Sequence, residues 1–212
     1  MPDTAALHLL HWLSPAFPTG AFAYSHGLEQ AIGAGVVPDA AALESWLSDV
    51  LRFGAGWQDA VLLAQGLQPG ADLDALDALA RALQPSTERL QETTEQGAAF
   101  ARMVTQVTTR PLPPRCLPLA VAEAVRPLDP DPAQVIALYL QGFATNLATV
   151  AIRHVPLGQG AGHAVLGRLW PLVVALATRA SCASLDDLGN AALGADIAAM
   201  EHETREIRLF RT

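Results

Sequence analysis

The chain has 212 residues, a net charge of −8, 51% hydrophobic and 16% charged residues, which gives length for a sizeable core and the composition of a buried helical assembly rather than a disordered chain. All thirteen basic residues are arginine, which excludes a P-loop, with its phosphate-binding lysine, and a pyridoxal enzyme, with its Schiff-base lysine. An acidic balance without a basic stripe also excludes nucleic acid and anionic lipid as electrostatic partners.

An opening helix is predicted over residues 4–12, stopped by Pro15 and Pro18, which bias Ser14 and Phe17 toward extended backbone. Thr19 then caps a second helix. At about 100° per residue, Gly20, Tyr24, Gly27, Leu28, Ala31 and Ile32 fall on one side as a core face, and the two glycines allow another backbone to come close. Phe22, His26 and Glu29 fall opposite, where the reading divides between a face reserved for a partner and a solvated surface with Phe22 under the preceding loop.

From Pro38 a helix runs to Phe53, with Asp39 as cap and Leu43, Trp46, Leu47, Val50 and Leu51 as its apolar stripe, ended by Gly54 and Gly56. Short helices are predicted over 59–67 and 72–83, the second with carboxylates in its first turn. Ser86 caps a longer polar helix through Val107, which its Glu, Gln and Thr content places on the outside of the bundle. Residues 110–118 carry prolines at 111, 113, 114 and 118, a stiff extended passage. It could divide two domains; an inter-helix connection within one domain over 1–212 is preferred, because neither half alone shows a complete set of amphipathic helices.

Helices follow at about 118–126, 131–152, 159–180 and 185–207, the last opened by a capping box of Ser184 with Asp187. Residues 133–152 are uncharged and long enough to span a bilayer. Gln134, Gln141, Thr145 and Thr149, with Asn146 beside them, instead mark a central helix with a hydrogen-bonding stripe. No run of period two and no internal repeat stands out, so the fold class is all-α, a single-domain bundle of about ten helices.

In the final helix Leu193, Ile197, Met200, Thr204 and Ile207 form a stripe expected to face the bundle. Leu209 and Phe210 leave that stripe, bracketed by Arg208 and Arg211, a composition of interface anchors. The other reading is a terminal turn tucked against its own domain.

Catalytic patterns are absent. His202-Glu203 resembles half of a zincin motif, but Glu206 stands where the second histidine should be, and His8 with His11 lack a third ligand. Ser14 and Ser25 lack a nucleophile elbow. Cys116 and Cys182 have neither metal nor disulfide spacing, and Asp3 with two histidines interrupts any signal-peptide core, so a cytoplasmic protein is expected.

The run Ser14-Pro15-Ala16-Phe17-Pro18-Thr19-Gly20 through Phe22, with Tyr24-Ser25-His26-Gly27-Leu28-Glu29, resembles the signature of the urease accessory protein UreF family. Asp196-Ile197, Met200, His202-Glu203 and Arg208-Leu209-Phe210-Arg211 resemble the end of the same family, and Pro156-Leu157-Gly158-Gln159 a landmark between them. Ala21, Ala199 and Thr212 depart from the family pattern by small-for-small changes, and from about Gly66 to Arg126 no site is carried over. The resemblance implies an all-helical, non-catalytic subunit that dimerises, binds the accessory protein UreD or UreH, and recruits the GTPase UreG to deliver nickel to apo-urease. It implies no cofactor of its own, nickel and GTP being handled by the complex. The implied partner-binding positions are Ser14, Pro15, Phe17, Pro18, Phe22, Tyr24, His26 and Glu29 at one end, and His202, Glu203, Arg208, Leu209, Phe210 and Arg211 at the other. Two further readings stand beside this: a GTPase-activating protein using Arg208 or Arg211 as a finger in trans, and a small metal-dependent hydrolase built on His202 and Glu203.

Overall fold

The computed structural model describes residues 4–155 and 157–212, so Asp3, and Pro156 of the landmark Pro156-Leu157-Gly158-Gln159, lie outside the described residues. Among those described, ten α-helices and three 3-10 turns account for the regular structure and no strand occurs. Local sequence chemistry sets most of the boundaries. Helix α1 (Thr4–Trp12) gives way to the proline turn. Asp39 caps α3 (Ala40–Phe53) by accepting the Ala42 amide, and Gly54 ends it. Helix α4 starts at once (Ala55–Leu67), so Gly56 lies inside it and not in a linker, and the predicted 59–67 helix is one turn longer.

Asp72 caps α5 (Leu73–Ala82), Ser86 caps α6 (Thr87–Thr108) and Asp131 caps α8 (Pro132–His154), each through a side-chain oxygen accepting a first-turn amide. The proline-rich passage leads from α6 to α7 (Leu117–Val125), and these two helices pack together. Helix α8 folds back on α9 (Gly158–Ser181). The buried helix α4 lies against α3, α7, α8 and α9, and its segment from Trp57 to Ala64 is buried. Both α8 and α9 are long and apolar enough to cross a membrane, and 56% and 39% of their most apolar windows are buried inside the bundle. Part of the α8 stripe bonds within its own helix, the Thr145 and Thr149 hydroxyls donating to carbonyls four residues back, while Asn146 reaches across to the Tyr24 carbonyl.

Three expectations fail here for physical reasons. The helix predicted from Thr19 is instead a 3-10 turn (Ala21–Ala23) followed by α2 (Leu28–Gly33). His26 and Gly27 between them adopt positive φ of 58° and 75°, which ends any continuous right-handed helix. The polar helix α6 is not an outer helix, because Glu88, Arg89, Glu92, Thr93 and Gln96 are buried along it. The 185–207 helix is broken into the 3-10 turn Leu185–Asp187, where Asp187 accepts the Ser184 amide, and α10 (Leu193–His202).

Candidate functional site

Helix α10 is mounted against α2 by its small residues. Ala195, Ala198, Ala199 and His202 are its buried positions. A Cβ on Gly27 would sit 2.7 Å from the Ala199 amide nitrogen, so the left-handed glycine that breaks the second helix also admits the α10 backbone. The consequence reverses the predicted stripe. Leu193, Ile197 and Met200 are 65%, 54% and 47% exposed, and Ile207 is 80% exposed. The large apolar side chains of α10 therefore face outward, because a close backbone approach needs alanines and not leucines on the packed side.

After α10, residues 203–212 run back over the 21–29 segment as a strap. The Arg211 amide donates to the Ala23 carbonyl at 2.7 Å and the Ser25 amide to the Thr212 carbonyl at 3.1 Å. These are the backbone groups that a continuous helix from Thr19 would have paired within itself. The Thr212 hydroxyl accepts the His26 amide at 3.1 Å and donates to Glu92 at 2.9 Å, and the Ser25 hydroxyl also donates to the Thr212 carbonyl.

Carboxylates on α2 and α6 hold the strap down. Glu29, 3% exposed, accepts the Leu209 and Phe210 amides at 3.0 Å each and faces His202 Nε2 at 3.1 Å. Burial alone would raise the Glu29 carboxyl, but these donors hold it below the usual carboxylate range. Glu88 faces His202 Nδ1 at 2.7 Å and pairs with Arg208, while its own amide donates to Glu203 at 3.1 Å. Glu95 accepts both Arg211 guanidinium nitrogens, at 2.5 and 3.0 Å, and the Tyr24 hydroxyl, with the guanidinium 5.4 Å from the Tyr24 ring centre.

Deeper in, Glu92 pairs with Arg89. Burial pushes against its charge, yet Arg89, and His26 with Nδ1 3.7 Å away, bring the Glu92 carboxyl down to about 2. Burial and Arg89 lower His26, whose ring stacks edge-on against Phe143 at 5.1 Å.

The structure thus divides the sequence-stated positions. Phe17, Tyr24, His26, Glu29, His202 and Phe210 are buried, which corrects the picture of Phe22, His26 and Glu29 as one outward face and of Leu209-Phe210 as an exposed pair. Phe17 packs on Phe100 with ring centres 5.4 Å apart, and Phe210 on His154 at 5.2 Å. Pro15, Pro18, Phe22, Arg208, Leu209 and Arg211 are exposed, and Ser14 and Glu203 half-buried. The two ends are brought together, but by one another rather than by parallel exposure. Glu88, Glu92 and Glu95 were not foreseen. Their spacing of i, i+4, i+7 is a carboxylate row along one helix face, of which Glu88 and Glu95 take Arg208 and Arg211 of the tail.

Both ring nitrogens of His202 are occupied by carboxylates, so the pair His202-Glu203 offers no open ligand position. Among the described residues no group of three or more His, Cys, Asp or Glu is arranged to hold a metal ion.

Comparison with known proteins places the chain among relatives of one family. A family model described as UreF matches residues 37–170. The urease accessory protein UreF of Cereibacter sphaeroides strain ATCC 17029 is 57% identical over 210 residues, covering 99% of this chain and all of that protein. The protein of the same name from Paracoccus denitrificans is 49% identical over 211 residues, 100% of this chain and 98% of its own, and that from Brucella ovis 44% over 218 residues, 100% and 96%. The family model stops short of both chain ends, whereas the whole-length relatives include them.

Proposed function

The chain belongs to the UreF family of urease accessory proteins, and from that premise we propose that it is a non-catalytic scaffold that docks the accessory protein UreD or UreH through its carboxyl-terminal face. The observation that carries this reading is the outward apolar row of α10, Leu193, Ile197 and Met200, with Ile207 and Leu209 also exposed on the strap. Large apolar groups rimmed by charge are the composition of an interface centre, and here Glu201 and Glu206 supply the rim. The docked pair then recruits the GTPase UreG, and the assembly, formed in the cytoplasm with this chain as a dimer, delivers nickel to apo-urease.

The buried positions Tyr24, His26, Glu29, His202 and Phe210 serve docking indirectly: they fix the strap, and the strap fixes Ile207 and Leu209. The finger reading is less well supported, since Arg208 and Arg211 are already bound to Glu88 and Glu95 and would have to leave them to enter a GTPase site.

The test is size-exclusion chromatography with light scattering on the chain co-expressed with its UreD or UreH partner, comparing wild type with Ile197→Asp/Met200→Asp. The variant keeps its helical circular dichroism and loses the complex. A complex that survives both changes moves docking off this face and overturns the reading.

A further inference from the structure

Ile207 is 80% exposed, the highest value for a large apolar side chain among the described residues, yet the chain on either side of it is fixed. Before it, the carbonyl of buried His202 accepts the Arg205 amide at 3.1 Å. After it, the Leu209 and Phe210 amides are held by buried Glu29. The turn between these anchors is tied by the Arg205 side chain. Its Nε donates to the Ile207 carbonyl at 2.8 Å and its Nη1 to Gln30 Oε1 on α2 at 3.0 Å. Gln30 in turn donates through Nε2 to Glu201 of α10 at 3.1 Å. A guanidinium only donates and an ionised carboxylate only accepts, so a single orientation of the carboxamide serves both neighbours.

Arg205 differs here from the other two arginines of the tail. Arg208 and Arg211 pair closely with carboxylates on α6, whereas the Nε of Arg205 stays 3.9 Å from Glu29 and its bonds go to a carbonyl and a carboxamide. The guanidinium lies across Gly33, the last residue of α2, where a Cβ would stand 2.6 Å from Nη1 and 3.2 Å from Nη2. Gly33 does not have the positive φ of the turn glycines, so what its missing side chain provides is the seat for Arg205.

We propose that Arg205 is the positioning residue of the docking face: seated on Gly33 and bridging Gln30 to the Ile207 carbonyl, it fixes the 205–207 turn so that Ile207 stands out toward the partner. The use of Ile207 in docking rests on the functional reading above; the fixing of the turn does not. A planar fork ties two groups in set directions, which a lysine ammonium does not reproduce. A turn already ordered spares the partner the cost of ordering it, and one competent for only part of the time binds more weakly by that fraction.

Two measurements test this. On the isolated full chain, NMR relaxation at the Ile207 amide gives an order parameter near the rigid value of about 0.85 in wild type and below about 0.6 in Arg205→Ala and Arg205→Lys. Gly33→Ala, which raises helix propensity in α2, lowers it too by displacing the guanidinium. In the second, wild type and variant with different tags are co-expressed with limiting UreD or UreH, and their ratio in the purified complex gives relative affinity. Arg205→Ala and Gly33→Ala are each captured about fivefold less than wild type, the double variant no less than the weaker single, and the Arg205→Ala deficit vanishes when both competitors carry Ile207→Ala. An Ile207 amide as mobile in wild type as in the variants overturns the fixing of the turn. Order lost without a capture deficit, or a deficit that persists in the Ile207→Ala background, overturns its role in docking. If wild type captures no partner at all, the docking reading itself fails, and the order parameters still decide whether Arg205 fixes the turn.

Discussion

The backbone amide of Ser25 donates to the carbonyl of Thr212 at 3.1 Å, so the last residue of the sequence closes against a segment near its beginning. Around that bond the strap is anchored unevenly. Phe210 is 7% exposed and Leu209 75% exposed, although they are adjacent and both apolar. Phe210→Ala removes a ring packed on His154 and is expected to destabilise by about 2–3 kcal/mol, below the ~3–5 kcal/mol of a deep-core phenylalanine because a chain end relaxes around the gap. Leu209→Ala is expected to change stability by less than about 0.5 kcal/mol. Urea unfolding, with an unchanged denaturant slope as the control for two-state behaviour, separates the two. Equal losses would place Leu209 in the packed interior.

Gly27 and Gly20 both have left-handed backbone, with φ of 75° and 78°, yet an added Cβ would collide at only one of them. At Gly20 a Cβ meets open space, so Gly20→Ala bears only the conformational penalty of about 1 kcal/mol. At Gly27 the new methyl would lie 2.7 Å from a backbone nitrogen of α10, which cannot rotate aside as a side chain would. Gly27→Ala is therefore expected to lose about 2–4 kcal/mol and to loosen α10. Thermal unfolding gives the ordering, and exchange at α10 amides shows where the loosening falls. A Gly27→Ala protein as stable as Gly20→Ala would mean that α2 and α10 do not pack this closely.

These two glycines also show what the sequence could and could not convey. Caps at Asp39 and Ser86 were legible because an N-cap is a local bond between residues about three apart, and the starts of α3 and α6 follow from them. The all-helical class was legible from periodicity. The orientation of α10 was not. A helical wheel assumes that bulk marks the buried side, and here the buried side is alanine because Gly27 lies under it. Likewise Phe22, His26 and Glu29 were placed on one face by assuming a continuous helix, which the strap prevents by taking the Ala23 carbonyl and the Ser25 amide. Such bonds join residues 187 or 188 positions apart and leave no local trace. The arginine spacing of the tail and the glutamate spacing of α6 were each visible alone, and only the fold says that one answers the other.

Asp59 yields the prediction with the clearest sign. It lies on α4 beneath the bundle surface, accepts the Tyr139 hydroxyl at 2.6 Å, and is raised by burial to about 6 from an ordinary 3.8, despite the opposing pull of that hydrogen bond and of Arg89. A carboxyl raised in the folded state holds its proton where the unfolded chain has lost it. Its stabilising contribution is complete below the ordinary value and is lost as pH rises through about 6. Between those limits the loss is on the order of 2–3 kcal/mol, from about 1.4 kcal/mol per pH unit. Asp59→Asn keeps an acceptor for Tyr139 without a charge to bury, so it is expected to match wild type near pH 4 and to exceed it by up to about that amount at pH 8. Urea unfolding at pH 4.5, 6 and 8 checks the divergence. A variant less stable than wild type at pH 8 would show that the ionised carboxylate is held by Arg89 to net advantage, and that Asp59 is part of the α6 charge network rather than a buried acid carried at a cost.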